Sequence, residues 1–160
     1  MESQNRARKL AATILLPLCI CFLTIQTTSG LDTANASENA GKGTAYLLDK
    51  GNLYYAYLNY KAAVRCYVKV LTREPGNIYA LFNMGVSYGE LGDYQKAIET
   101  IDRSISLNPE YGKLLYGRGR VYLLSGDTER AMGDFHRAAE LGSLDAQNYL
   151  EYLVELSDDR

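Results

Sequence analysis

Apolar residues in the middle of the chain recur at steps of three and four. Leu81, Met84, Gly85 and Tyr88 form one stripe, and Ala97, Ile98, Ile101 and Ile105 form a second. That spacing places each set on one face of a helix. Leu91-Gly92-Asp93 interrupts the pattern between them. Gly92 can end a helix, and Asp93 can cap the next one. Asn108-Pro109 closes the unit, because proline disfavours helix at the residue before it.

The unit recurs with a fixed beat. Gly51, Gly85 and Gly119 stand 34 residues apart, as do Tyr54, Tyr88 and Tyr122, and Ala63, Ala97 and Ala131. Pro75 and Pro109 keep the interval, and Tyr67, Ile101 and Phe135 share one large apolar column. A period of this length predicts a stacked helical repeat, here in three copies over 44–77, 78–111 and 112–145. A helical glycine costs ~1 kcal/mol relative to alanine, so its recurrence predicts close helix approach at that column. Ser125-Gly126-Asp127 repeats the break in the third copy, whereas the first has Leu58-Asn59-Tyr60 and a less marked turn. Beyond Ser143 the stripe continues through Ala146, Tyr149, Leu150, Leu153 and Val154, opposite Asp145, Gln147, Asn148, Glu151 and Glu155. This predicts a capping helix over 146–156 with a polar outer side, followed by a tail at 157–160.

Asn83-Met84-Gly85, Tyr88, Gly92-Asp93-Tyr94, Ala97 and Asn108-Pro109 make the second copy resemble the tetratricopeptide repeat (TPR), a resemblance that covers about residues 44–145. It implies an all-α fold: a right-handed superhelix of three helix-turn-helix repeats plus the C-terminal capping helix. It also implies that the first helix of each pair lines a concave face. Leu48, Asn52 and Tyr55 then point inward from the first copy, Tyr79, Phe82 and Val86 from the second, and Lys113, Tyr116, Arg120 and Leu123 from the third. Two departures stand out. The column of Met84 holds Lys50 and Arg118 where the family usually has leucine, and long stems there are expected to snorkel. The closing proline is replaced by Ser143 in the third copy.

Residues 1–30 read differently. Arg6, Arg8 and Lys9 precede Leu10–Ile25, which carries no charge, and Thr27-Thr28-Ser29-Gly30 follows. That order predicts a signal peptide, cleaved after Gly30 or Ala36, or else an N-terminal membrane anchor at residues 10–25. The expected location is the periplasm or the secretory route. Residues 31–43 read as a flexible linker. Removing residues 1–36 takes away Arg6, Arg8 and Lys9 with Glu2 and Asp32, so the 17 basic and 19 acidic residues of the chain fall to 14 and 17, a net charge of −3. No strong field results, so charge calls for neither nucleic acid nor an anionic membrane. Cys66 is the sole cysteine left and is expected to be a buried apolar residue.

Reaction chemistry finds little support. His136 is the sole histidine, which removes the usual general base. No cysteine, histidine and carboxylate cluster has metal-ligand spacing, and no Gly-x-Ser-x-Gly occurs. Glu90, Asp93, Glu129 and Asp134 read as solvated helix faces and caps. No enzyme activity, metal or cofactor is expected. Within the resembled family some grooves clamp a peptide carboxylate with Lys, Asn, Asn, Lys and Arg. Asn52, Asn83 and Lys113 match that set, but Leu48 and Gly117 replace two of its cations, so a clamp is not expected. The apolar and aromatic lining instead suggests a scaffold that binds a partner peptide or helix. The alternative is a homodimer joined through the groove or the C-terminal helix.

Overall fold

The computed structural model describes residues 43–158. The segments read as a leader or anchor and as a linker lie outside the described residues, apart from Gly43. Seven helices follow one another: α1 Thr44–Ala56, α2 Tyr60–Arg73, α3 Ile78–Glu90, α4 Tyr94–Leu107, α5 Gly112–Leu124, α6 Thr128–Glu140 and α7 Leu144–Asp158. Among the described residues there is no strand. Each 34-residue unit is a helical hairpin, and each hairpin packs on the next.

The recurring columns are the packing surfaces. Ala63, Ala97 and Ala131 are fully buried, as are Tyr67, Ile101 and Phe135. The glycine column lies against that second set. A Cβ on Gly51 would come within 2.5 Å of the Tyr67 ring, and one on Gly119 within 2.7 Å of the Phe135 ring. Those rings fill the hairpin only because the facing residue has no side chain. Cys66 is buried as expected, and burial pushes its thiol pKa up despite nearby Lys50, Lys69 and Arg65.

The turns carry the clearest local chemistry. Gly92 and Gly126 adopt φ of 80° and 86°, the left-handed region that lets a helix end sharply. The first repeat makes the same turn without glycine: Leu58 stands 34 residues before Gly92 and takes φ 58°. Asn59, Asn77 and Asp127 cap α2, α3 and α6, accepting from the backbone N–H of Ala62, Ala80 and Arg130. Asp93 occupies the cap position of α4 but makes no side-chain cap bond; it pairs with Lys96 at 2.5 Å instead.

Two details differ from the reading of the sequence. The last helix begins at Leu144, inside the third 34-residue interval, and runs to Asp158. Gly142 at φ 80° ends α6 early enough for Ser143 to open α7, its carbonyl accepting from Ala146 and Gln147. Asp134 is not solvated: it is 8% exposed and holds Arg118. The guanidinium donates from Nε and Nη2 to both Asp134 oxygens at 2.8 and 2.7 Å, and from Nη1 to Asp102 at 2.7 Å. The departure at Arg118 is thus a clasp joining α4, α5 and α6, not a stem reaching for water. The bonds to Asp134 hold the guanidinium charged against the cost of burial. Lys50, in the same column, lies 5.8 Å over the Tyr54 ring.

Candidate functional site: a groove on the first-helix face

The first helices of the three hairpins, α1, α3 and α5, converge on a groove of about 300 Å3. Seven of the ten inward residues read from the sequence line it: Asn52, Tyr55, Phe82, Val86, Lys113, Tyr116 and Arg120. Three do not. Leu48 packs against the core of the first hairpin. Tyr79 is 60% exposed and outside the lining. Leu123 lies in a neighbouring depression with Tyr116, Arg120 and Tyr149. The groove also takes Tyr67, Asn83, Gly117 and Asp145. Tyr67 was legible only as a core column; its side chain is buried, and its hydroxyl donates to Asn52.

Asn52 organises that floor. Its Oδ1 accepts from the Tyr67 hydroxyl at 2.9 Å and from Asn83 Nδ2 at 2.8 Å. These bonds tie α1, α2 and α3 together at one point. Burial raises the Tyr67 pKa well above the ordinary phenol range, so its hydroxyl stays a donor. One wall carries a weak polar set: Arg120 reaches Glu90 at 3.3 Å, and the Tyr55 hydroxyl donates to the same Glu90 oxygen at 3.4 Å. Burial first, and then the Glu90 charge, raises the Tyr55 pKa. Lys113 sits seven residues before Arg120 on α5, two turns or about 10 Å along one helix face.

The centre is apolar. The Phe82 ring lies directly over Gly117, so closely that a Cβ there would overlap it. This contact joins the second and third hairpins and fills the space above Gly117 with an aromatic ring. A long cation at that position could not coexist with the ring. With a leucine at position 48 and the Phe82 ring over Gly117, two of the five positions of a carboxylate clamp lack their cation. Among the described residues no group of three or more histidine, cysteine or carboxylate side chains could hold a metal ion, and no helix is long and apolar enough to cross a membrane.

Helical hairpins stacked at a 34-residue period, with an apolar groove on the first-helix face, define a helical-repeat array of the TPR type. The family model described as "Tetratricopeptide repeat" matches residues 78–111, the second hairpin. The chain is similar over 72% of its length to the first TPR domain of Spaghetti (RPAP3) bound to the HSP90 peptide SRMEEVD, at 26% identity and a TM-score of 0.61, covering 93% of that chain. It is 27% identical over 115 residues to mouse DnaJ homolog subfamily C member 7, covering 72% of this chain and 23% of that protein. It is 29% identical over 104 residues to RNA polymerase II-associated protein 3 of Xenopus tropicalis, covering 64% of this chain and 16% of that protein. The match therefore spans less than a quarter of the DnaJ homolog and of the RNA polymerase II-associated protein. Together the findings show a fold of the tetratricopeptide-repeat type, with the second hairpin matched by the family model itself.

Proposed function

We propose that this chain is a non-enzymatic, exported adaptor whose groove holds an apolar segment of a partner peptide or helix. The observation that carries the reading is the open aromatic lining: Tyr55, Phe82, Val86 and Tyr116 face a 300 Å3 space with polar groups confined to its floor and walls. The peptide complex of the similar TPR domain supports peptide binding in general. The Phe82–Gly117 contact favours an apolar anchor over a carboxylate one. Burying two aromatic or aliphatic anchors there supplies several kcal/mol at ~25 cal/mol per Å2, before association costs. Export rests on the leader-like segment at residues 1–30.

The test is in two parts. Peptides selected on the wild-type protein are measured by fluorescence anisotropy against Phe82→Ala/Tyr116→Ala and, separately, Val86→Glu. Circular dichroism checks that each variant keeps its helix content. At least tenfold weaker binding to both variants is expected. Folded variants that keep wild-type affinity would refute groove binding. Fractionation of the native host, with the protein in the cytosol, would refute export.

A further inference from the structure

The two ends of the array carry opposite charge. Helix α2 holds Lys61, Arg65, Lys69 and Arg73 and no acidic residue. Helix α7 holds Asp145, Glu151, Glu155 and Asp158 and no basic residue. Lys61, Arg65 and Lys69 are exposed and follow one another at four-residue steps, and so do exposed Glu151 and Glu155. Four residues are about 6 Å of helix rise, so the two rows share a spacing. The described ion pairs lie between these ends, on or beside α3 to α6: Lys96–Asp93, Arg118–Asp102 and Arg118–Asp134, Arg120–Glu90, Arg130–Asp127 and Arg137–Glu140. Lys61, Arg65, Lys69, Glu151 and Glu155 enter none of them. Each face also leaves apolar side chains in the open: Val68 amid the basic row, Tyr152 and Val154 beside the acidic one. Apolar groups ringed by complementary charge have the make-up of an interface.

We infer that the outer face of α2 docks on the outer face of α7 of a second copy of this chain, head to tail. The occupant follows from the charges. The basic row Lys61, Arg65 and Lys69 of one copy meets the acidic pair Glu151 and Glu155 of another, and every copy brings both. A contact of α2 with α2, or of α7 with α7, would set like charges opposite each other. The contact is therefore heterologous, leaves one α2 unsatisfied at one end of an open chain and one α7 at the other, and grows until it closes on itself. It does not use the groove, whose lining includes none of Lys61, Arg65, Lys69, Glu151 and Glu155.

Sedimentation velocity on the full chain tests this with two charge-reversed forms, Lys61→Glu/Arg65→Glu/Lys69→Glu and Glu151→Lys/Glu155→Lys. The average mass of the wild type is expected to rise with protein concentration. That rise should shrink as salt shortens the screening length from about 30 Å at 0.01 M to about 10 Å at 0.1 M. Each reversed form alone should associate at least tenfold more weakly, and their equimolar mixture should regain association, because each then supplies the other's complement. Circular dichroism confirms that both remain helical. A wild type whose mass ignores concentration, reversed forms that associate as it does, or a mixture no heavier than its components would each overturn the inference. Phe82→Ala/Tyr116→Ala should leave assembly unchanged, so failure of groove binding and failure of assembly are read separately.

Discussion

Arg118→Leu restores the leucine common at this column in the resembled family, and it should nevertheless weaken the fold. The guanidinium grips both oxygens of Asp134 at 2.7 and 2.8 Å and reaches Asp102 at 2.7 Å. The Asp102 side chain is 46% exposed, so that arm contributes roughly 0–1 kcal/mol. The Asp134 arm differs, because leucine would leave a carboxylate in a nearly buried site with no partner. Breaking a buried pair in this way costs about 3–5 kcal/mol. The Arg118 side chain is 23% exposed, so partial water access brings the expected loss to about 2–3 kcal/mol. With a urea slope of about 1.5 kcal/mol per M, the unfolding midpoint should fall by about 1.3–2 M. Arg118→Leu/Asp134→Leu removes both charges and should recover much of the loss, giving a coupling of about 1–3 kcal/mol in the cycle. An Arg118→Leu protein within about 0.5 kcal/mol of wild type would refute this account of the clasp.

Leu58→Gly should stabilise the array. Leu58 holds φ 58° with its side chain 71% exposed, so relief of roughly 1–2 kcal/mol of left-handed strain outweighs the about 0.5–1 kcal/mol of added unfolded-state entropy. A thermal midpoint higher by about 2–4 °C is expected, and an unchanged or lower one would count against strain at this turn. Asp127 should make stability acid-sensitive. Its pKa lies below the ordinary 3.8, first because it accepts from the Arg130 backbone N–H and then because of the Arg130 guanidinium. A depressed carboxylate pKa stabilises the fold above its unfolded value, and the gain is lost as pH falls through the folded value. Unfolding curves from pH 6 to 2 should therefore fall less steeply below 3.8 for Asp127→Asn, which still caps α6, than for the wild type; identical slopes would exclude Asp127 as a contributor.

The helices and their pairing were legible because each depends on local spacing. A stripe at steps of three and four needs only its own segment, and the 34-residue beat needs only a copy. What escaped was tertiary. Arg118 and Asp134 are 16 residues apart, and nothing near Asp134 says that a carboxylate on a charged helix faces inward. Phe82 and Gly117 belong to different hairpins, so their contact appears only once the hairpins stack. Leu58 replaced the glycine that marks the turn, and the chain turned there anyway: Asn59 capped α2, and the core beneath α1 and α2 outweighed the strain. Lys113, Tyr116 and Arg120 of α5 line the groove, whereas Leu48 packs, partly buried, against the core of the first hairpin.

Asn52 sets a polarity on what can bind. Both bonds at its Oδ1 come from neighbouring donors, Tyr67 and Asn83, so the amide is held in one orientation and its acceptor is saturated. What Asn52 can still offer a ligand is its NH2 group. A peptide lying along the floor therefore meets a donor at this point and must present an oxygen, as a backbone carbonyl or a side-chain amide does. The same segment shifted by half a residue would present an N–H and leave both groups unpaired. A single rotationally locked amide thus gives a groove with an apolar centre a sense of register.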